Sequence, residues 1–261
     1  MMEYQNIIVT VTNGIALLTM NREKALNALN RQTISELIAF FETDAYSIEG
    51  LKGVILTGAG EKAFVAGADI TEFQGFSAQE GKMLAQRGHD LFFTIERFPK
   101  PVVAALNGFT LGAGCELAMA CHLRIAGEKA RFGQPEVNLG LIPGYGGTQR
   151  LIQCIGKTKA FELLMTADMI GAEEALRLGL VNYVVPAGNE VEKATELIEK
   201  IATKAPYAIA KIIQSVAAYY EDGVDGFAKE VEFFGDCCGT SDFREGAAAF
   251  VEKRKANFTG A

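Results

Sequence analysis

Residues 101–123 read PVVAALNGFTLGAGCELAMACHL, an almost uncharged stretch in the middle of the chain. Its apolar length is close to the ~20 residues that cross a bilayer, but Asn107, Glu116, His122 and several glycines interrupt it. Polar groups and breaks of this kind favour burial in a protein core over burial in lipid. We therefore predict a central buried strand, a glycine-rich loop and a buried helix rather than a membrane span.

The segments before this stretch alternate between strand and helix patterns. Residues 7–20 form two β-rich runs around Asn13 and Gly14, which predicts a hairpin. Residues 53–58 (GVILTG) predict a short buried strand, and residues 77–97 predict a helix. Alternating strands and helices indicate an α/β architecture.

The glycines are distributed unevenly along the chain. Fifteen of the 28 lie between Gly58 and Gly147, and none lies between Gly188 and Gly223. Because glycine is frequent in tight turns and costly inside helices, we predict that the last third of the chain is continuously helical. The sequence therefore contains two regions of different character.

Charge and rare residue types exclude several classes of protein. The 261 residues carry 25 basic and 32 acidic side chains, a net charge of −7, which disfavours a nucleic-acid or anionic-membrane partner. Five cysteines without a C-x-x-C pair predict free thiols in a cytoplasmic protein. Two histidines are too few for a multi-histidine metal centre. We expect no metal, and we expect carboxylates to carry any chemistry.

Two glutamates lie in apolar, glycine-rich segments where a lone carboxylate is costly. Burial and mutual repulsion of Glu116 and Glu136 would raise at least one pKa, a condition for general acid and base catalysis near neutral pH. Just before Glu116, a glycine turn leads into a helix start, whose free N–H groups suit an anion or an oxyanion. The alternative is structural: Glu116 complements the helix N-terminus and Glu136 forms a local salt bridge.

Five blocks of the sequence resemble, in the same order, the crotonase (enoyl-CoA hydratase/isomerase) superfamily, closest to its short-chain hydratase branch. The blocks are residues 21–29 (NREKALNAL), 66–70 (AGADI), 112–118 (GAGCELA), 132–136 (FGQPE) and 143–151 (PGYGGTQRL). The resemblance covers essentially the whole chain. It implies a spiral of ββα units with the acyl-CoA site over residues 1–200, a helical trimerisation region over residues 201–261, and a homotrimer or homohexamer.

The resemblance also implies a reaction. The N–H groups of Ala68 and Ala113 form an oxyanion hole for a thioester carbonyl, while Glu116 and Glu136 hydrate a trans-2-enoyl-CoA to a 3-hydroxyacyl-CoA. Coenzyme A is part of the substrate, and no permanently bound cofactor is implied. The expected coenzyme A contacts are Arg22, Lys24, Ala25, Leu26, Ala66, Gly67, Asp69, Ile70, Gly112, Pro135 and Gly144, with Lys253 of the last helix contributing to a neighbour's site.

Other functions remain open at this point. A Δ3-Δ2-enoyl-CoA isomerase typically uses one carboxylate near Glu136, so the presence of Glu116 favours hydration. A non-catalytic relative that binds CoA or RNA would lack a glutamate or carry a lysine-rich helix, and the sequence shows neither. A glycosidase also pairs two carboxylates, but N–H groups at a helix start suit an oxyanion rather than a cationic transition state.

Overall fold

A computed structural model describes residues 4–261 of the chain. The chain opens with strands β1 (Ile7–Thr12) and β2 (Ile15–Met20), an antiparallel pair joined by the two-residue turn Asn13-Gly14. Both turn residues have positive φ, 53° and 77°, as a tight hairpin turn of this kind requires. The predicted hairpin is therefore confirmed.

The described chain contains ten strands, ten α-helices and four short 3₁₀ helices. The further strands are β3 (Gly53–Gly58), β4 (Ala63–Ala66), β5 (Val102–Leu106), β6 (Phe109–Leu111), β7 (Leu123–Gly127), β8 (Arg131–Gly133), β9 (Ile170–Gly171) and β10 (Tyr183–Val185). The helices are α1 (Arg31–Glu42), α2 (Ala78–Glu96), α3 (Ala113–Ala120), α4 (Gly147–Ile155), α5 (Lys157–Thr166), α6 (Ala172–Leu178), α7 (Glu190–Ala202), α8 (Pro206–Ala218), α9 (Gly226–Cys238) and α10 (Ser241–Glu252).

From β3 to β8, successive strands alternate between two sheets. The six-stranded sheet has the order β1-β2-β3-β5-β7-β10, and the four-stranded sheet has the order β4-β6-β8-β9. In this part of the chain, each unit places one strand in each sheet and then forms a helix, as in β3-β4-α2 and β5-β6-α3. The α/β spiral of ββα units is confirmed, and the stretch 101–123 consists of β5, β6, α3 and the start of β7.

The centre of the six-stranded sheet is covered on both faces. Val54 and Leu56 of β3 join the main core, whereas Ile55 between them packs in a second cluster with Ala194 and Ile198 of α7. This is the period-two alternation of a strand. Both faces are apolar because both are buried, as is usual for parallel strands.

The last third of the chain is not continuously helical, contrary to the sequence prediction. Strand β10 lies between α6 and α7 and pairs in parallel with β7 at the edge of the larger sheet. Glycine spacing could not reveal it, because a three-residue edge strand is defined by its pairing partner. Helices α8, α9 and α10 follow, with α9 contacting both others. The boundary near residue 200 stays a prediction, and α7 extends to Ala202.

Candidate active site

One cavity of about 490 Å³ lies where α2, α3 and the loop before α4 converge. Its walls are mainly apolar and include Phe73, Phe76, Leu84, Leu141 and Ile142. The cavity also contains Ala68, Ala113, Glu116 and Glu136, the four residues singled out for chemistry in the sequence. Segments that are far apart along the chain therefore meet around one space of ligand size.

Glu116 lies in the second half of the first turn of α3 and is 1% exposed. Its Oε1 accepts hydrogen bonds from the backbone N–H groups of Tyr145 and Gly147, at 2.8 and 2.7 Å. Burial raises the pKa of Glu116 to about 7, with a further increase from Glu136, against the lowering effect of the two amides and of Arg150. Near neutral pH the carboxyl can therefore accept or release a proton.

Glu136 follows β8 in a 3₁₀ turn, Pro135–Leu139. Proline at the first position suits this turn because its fixed φ is helical and its missing N–H is not needed there. Within residues 4–261, the buried Oε2 of Glu136 has no hydrogen-bond partner. Burial raises the pKa of this carboxyl above its ordinary value, which favours the protonated form that can act as an acid.

Gly112 separates β6 from α3 and lies against Glu136. Its φ of +50° and ψ of −124° are readily adopted only by glycine. A Cβ at this position would lie 2.6 Å from Oε1 of Glu136. The glycine therefore allows the helix start and the carboxylate to approach each other.

Gly112→Ala is expected to lower kcat at least tenfold and the free energy of unfolding by about 1–3 kcal/mol, since it combines backbone strain with overpacking. Steady-state kinetics and denaturant unfolding measure the two effects. Gly223→Ala is the matched control, because Gly223 also has positive φ, +77°, but a Cβ there meets nothing within 4 Å. Equal activity of the two variants would contradict a steric role for Gly112.

Two backbone N–H groups at the cavity are free to bind a ligand. Leu29 pairs with the residues on either side of Ala68, donating to Gly67 O and accepting from Asp69 N. A parallel bridge of this form leaves the N–H of Ala68 itself outside the pairing. Ala113 is the first residue of α3, where the N–H has no intrahelical acceptor. Among the hydrogen bonds of residues 4–261, neither N–H has a partner.

The predicted coenzyme A contacts fall mostly on two adjoining segments. The segment 22–29 is joined to the segment 66–69 by hydrogen bonds from Ala66 N to Leu26 O and from Leu29 N to Gly67 O, at 3.0 and 2.9 Å. Lys24, Ala25, Leu26 and Ile70 are exposed there. Both segments border Ala68, so a ligand at its N–H group can extend over them.

Arg22 and Asp69 form an ion pair of 2.8 Å within this region. Arg22 also donates to the carbonyl oxygen of Ala28, at 2.5 Å. Hydrogen bonds from Thr71 and from Arg22 hold the pKa of Asp69 below its ordinary value. Arg22 therefore fixes the loop, and Lys24 is left as the exposed cation without a carboxylate partner among the described residues.

The remaining predicted contacts lie in different places. Gly144 lines the cavity, whereas Pro135 begins the turn that carries Glu136. Lys253 was predicted to lie in the last helix. It instead caps that helix, because α10 ends at Glu252 and Lys253 has φ of +56°. It is exposed and does not line the cavity within this chain.

Both histidines contact other parts of the fold outside the cavity. His122 Nδ1 accepts from Val102 N at 2.9 Å, and its Nε2 lies 3.0 Å from Glu96 O. His89 stacks on Phe93 on α2, with ring centroids 6.0 Å apart. Among residues 4–261, no group of three or more His, Cys, Asp and Glu side chains is arranged to hold a metal ion.

Sequence reasoning missed three groups around Glu116. The block 143–151 was recognised, but not that the N–H groups of Tyr145 and Gly147 hold Glu116. Gln134 is 1% exposed, and both polar atoms of its side chain lack partners within residues 4–261. Arg150 is also buried and bonds to Tyr145 O. The only sequence signal for the two side chains is a Gln or Arg inside a block with apolar residues, and this signal does not show that they lie near Glu116.

One buried and one half-buried carboxyl, both with raised pKa values, line an apolar cavity together with two free N–H groups. This arrangement is typical of enzymes that perform acid–base chemistry on a carbonyl compound. The sequence profile described as enoyl-CoA hydratase/isomerase matches residues 10–261. The chain belongs to this enoyl-CoA hydratase/isomerase family, which confirms the resemblance of the five sequence blocks.

Individual relatives match over nearly their whole length. The short-chain-enoyl-CoA hydratase of Clostridium acetobutylicum is 46% identical, covering 97% of each chain. The crotonyl-CoA hydratase of Syntrophomonas wolfei is 45% identical, covering 98% of this chain and 99% of the relative. The crystal structure of enoyl-CoA hydratase from Bacillus anthracis superposes with a TM-score of 0.91 at 39% identity, covering 98% of this chain and 100% of the other.

Proposed function

We propose that this protein hydrates trans-2-enoyl-CoA thioesters reversibly to 3-hydroxyacyl-CoA. The observation that carries the proposal is the single cavity shared by Glu116, Glu136 and the free N–H groups of Ala68 and Ala113. The names of the relatives, short-chain-enoyl-CoA hydratase and crotonyl-CoA hydratase, support the same reaction. A cavity bounded by Phe73, Phe76 and Leu84 suits a short apolar acyl group.

The two N–H groups bind the oxygen of the thioester carbonyl. As water attacks C3, electron density moves to this oxygen, and each preorganised donor stabilises the resulting enolate-like charge by about 2.7–4 kcal/mol. Ala113 is at the N-terminus of α3, so the helix dipole adds to the effect. The ionised Asp69 and the exposed Lys24 lie on the side where the coenzyme A moiety leaves the cavity.

The two glutamates divide the proton transfers. Glu116 accepts a proton from the attacking water, whose oxygen forms the new bond to C3. Glu136, whose pKa is raised by burial, donates a proton to C2. Both carboxyls line the same cavity as the carbonyl site, and we propose that they act on one face of the double bond, so that water adds syn. The reaction needs no permanently bound cofactor, and coenzyme A enters as part of the substrate.

The test is to add crotonyl-CoA and follow the loss of the conjugated-thioester absorbance. We expect loss of absorbance and formation of 3-hydroxybutyryl-CoA. The isomerase alternative is tested in parallel with a 3-enoyl-CoA, which would gain conjugated absorbance without taking up water. If the protein isomerises the 3-enoyl thioester but leaves crotonyl-CoA unchanged, the hydratase proposal is wrong.

We also propose that the chain acts in the cytoplasm as a homotrimer or homohexamer, with an acyl-CoA as its small-molecule partner and with no nucleic-acid or membrane partner. On α9 the side chains of Phe227, Val231 and Phe234 are 81%, 74% and 71% exposed. Their spacing forms one apolar stripe along the helix. Among residues 4–261, no helix is both long and apolar enough to cross a membrane.

Contact with another copy of the chain would remove three large apolar side chains from water. The exposed stripe on α9 therefore favours assembly. We expect the double variant Val231→Glu and Phe234→Glu to shift the protein toward monomer, as measured by light scattering after size-exclusion chromatography. Glu230→Gln with Glu232→Gln is a control on the same helix. A wild-type protein that is already monomeric would contradict the assembly.

A further inference from the structure

Arg150 lies on the far side of the turn that holds Glu116. It belongs to α4, and its residue is 4% exposed. Its Nη1 donates to Tyr145 O at 3.0 Å, and its Nη2 pairs with Oε2 of Glu96 on α2 at 2.9 Å. The guanidinium carbon lies 5.0 Å from the ring centroid of Phe93. One buried cation thus joins α2, α4 and the loop that borders the cavity.

The turn 145–147 is clamped between Arg150 and Glu116. Tyr145 donates its N–H to Glu116 Oε1, while its C=O accepts from Arg150. Gly146 between the two donors has φ of +102°, and a Cβ there would lie 2.3 Å from Arg150 Nη1. The guanidinium therefore packs directly against the backbone that presents the Tyr145 and Gly147 amides to Glu116.

We propose that Arg150 is a positioning residue for Glu116: anchored by Glu96 and Phe93, it fixes the 145–147 turn and so sets the orientation of the Glu116 carboxyl, to which it also adds a nearby positive charge. This inference rests on the proposed hydration, in which Glu116 is the base. Arg150 does not line the acyl cavity, so it acts through the turn and not on the substrate.

The titratable groups around Glu116 and Arg150 determine how the Glu116 pKa changes when Arg150 is removed. Glu116 faces Glu136, Tyr145 and Arg150, and the positive charge of Arg150 lowers the Glu116 pKa, against burial and Glu136. Arg150 faces Glu96 and His89 on α2. Burial and Arg150 lower the pKa of His89, so this ring stays neutral at neutral pH. Removing the guanidinium is therefore expected to raise the pKa of Glu116.

The experiment compares Arg150→Met, Arg150→Lys and a control in crotonyl-CoA hydration between pH 5.5 and pH 9, chosen as roughly the range that brackets the Glu116 pKa. Arg150→Met is expected to lower kcat about tenfold with KM nearly unchanged. The acid limb, which is the fall of kcat/KM at low pH as Glu116 becomes protonated, should shift to higher pH by about one unit. Arg150→Lys keeps the charge but replaces the rigid fork that contacts Tyr145 O and Glu96 through two nitrogens by a single nitrogen. We expect it to keep the acid limb and lose part of kcat.

The control is Arg97→Met, because Arg97 also lies over Phe93, at 5.2 Å, but pairs with Glu221 and bonds no atom of the turn. It should keep the wild-type kcat and acid limb. If Arg150→Met does not fold, Glu96→Gln keeps the cation and removes its anchor, and kcat should then fall about threefold without an upward shift of the limb.

Folded Arg150→Met with the kcat and acid limb of the wild type would overturn the inference and leave the proposed hydration intact. A lower melting temperature with unchanged kinetics would also overturn it, because it would show a structural role only. Absence of crotonyl-CoA hydration by the wild type would instead refute the proposed function itself.

Discussion

Glu116→Gln is expected to lower kcat for crotonyl-CoA hydration by about 10³-fold, with KM changed by less than about threefold. The amide keeps an oxygen to accept from Tyr145 N and Gly147 N, so the shape of the site is preserved. It cannot take a proton from water, and loss of a general base typically costs ~10²–10⁴ in rate. Steady-state kinetics near pH 7.5 measure both constants.

Glu136→Gln should produce a loss of similar size, because the amide cannot deliver a proton to C2. Glu61→Gln is the control, since Glu61 is exposed and outside the cavity. If either cavity variant keeps full activity, the division of proton transfers proposed for Glu116 and Glu136 is wrong. A large rise in KM with kcat unchanged would likewise show that the carboxyl only binds substrate.

Glu116→Gln lowers activity, but we expect it to increase stability relative to the wild type as the pH rises. The folded-state pKa of Glu116, about 7, is above its ordinary value of 4.5. Stability linked to this group is therefore present below pH 4.5 and is lost as the pH rises toward 7. Gln removes that loss, so the free energy of unfolding of Glu116→Gln relative to the wild type should increase by about 2–3 kcal/mol from pH 5 to pH 8. Denaturant unfolding at the two pH values measures it.

Local patterns were sufficient where an element depends on its own residues. The hairpin 7–20 follows from an Asn-Gly turn between two apolar runs, and α2 begins one residue after Ser77, whose side chain forms a capping box with Glu80. The apolar, glycine-rich surroundings of Glu116 and Glu136 suggested a catalytic pair, and the resemblance to a family favoured that pair over structural roles. Its physical basis is the β6·β8 ladder, which aligns Leu111 with Gly133 and so brings the start of α3 beside the turn after β8.

Long-range contacts account for what the sequence did not reveal. Nothing in residues 143–151 indicates that two of their amides bond to a carboxylate 29 and 31 positions earlier. Arg150 was indistinguishable from a surface arginine, because its burial comes from Phe93 and Glu96 on another helix. Lys253 was assigned to a helix whose end is decided by a left-handed cap. The hydrogen bonds of Glu116 and the burial of Arg150 are determined by contacts between two segments that are distant in sequence, so neither segment alone predicts them.

Ala113→Pro is expected to lower kcat by about 10²–10³-fold by removing one N–H donor of the carbonyl site. Proline is favoured at the first position of a helix, because its φ is already helical and the N–H there is not used within the helix. The preceding Gly112, with φ of +50° and ψ of −124°, has the mirror image of the extended conformation that precedes proline. The fold should therefore tolerate the change.

The matched control is Ala172→Pro, since Ala172 is also a buried alanine at the first position of a helix, α6, and follows a glycine in extended conformation. It lies outside the cavity, so the kcat of this variant should stay within about twofold of the wild type, as expected for a substitution away from the site. If Ala113→Pro melts like the control and still has wild-type kcat, the Ala113 N–H does not bind the developing oxyanion. If Ala113→Pro loses activity while Ala172→Pro does not, the loss is explained by removal of the Ala113 N–H group at the start of α3. Gly112 then matters because, without a Cβ, it lets the Ala113 N–H group and the Glu136 carboxyl lie against the same substrate, the N–H at the carbonyl oxygen and the carboxyl at C2.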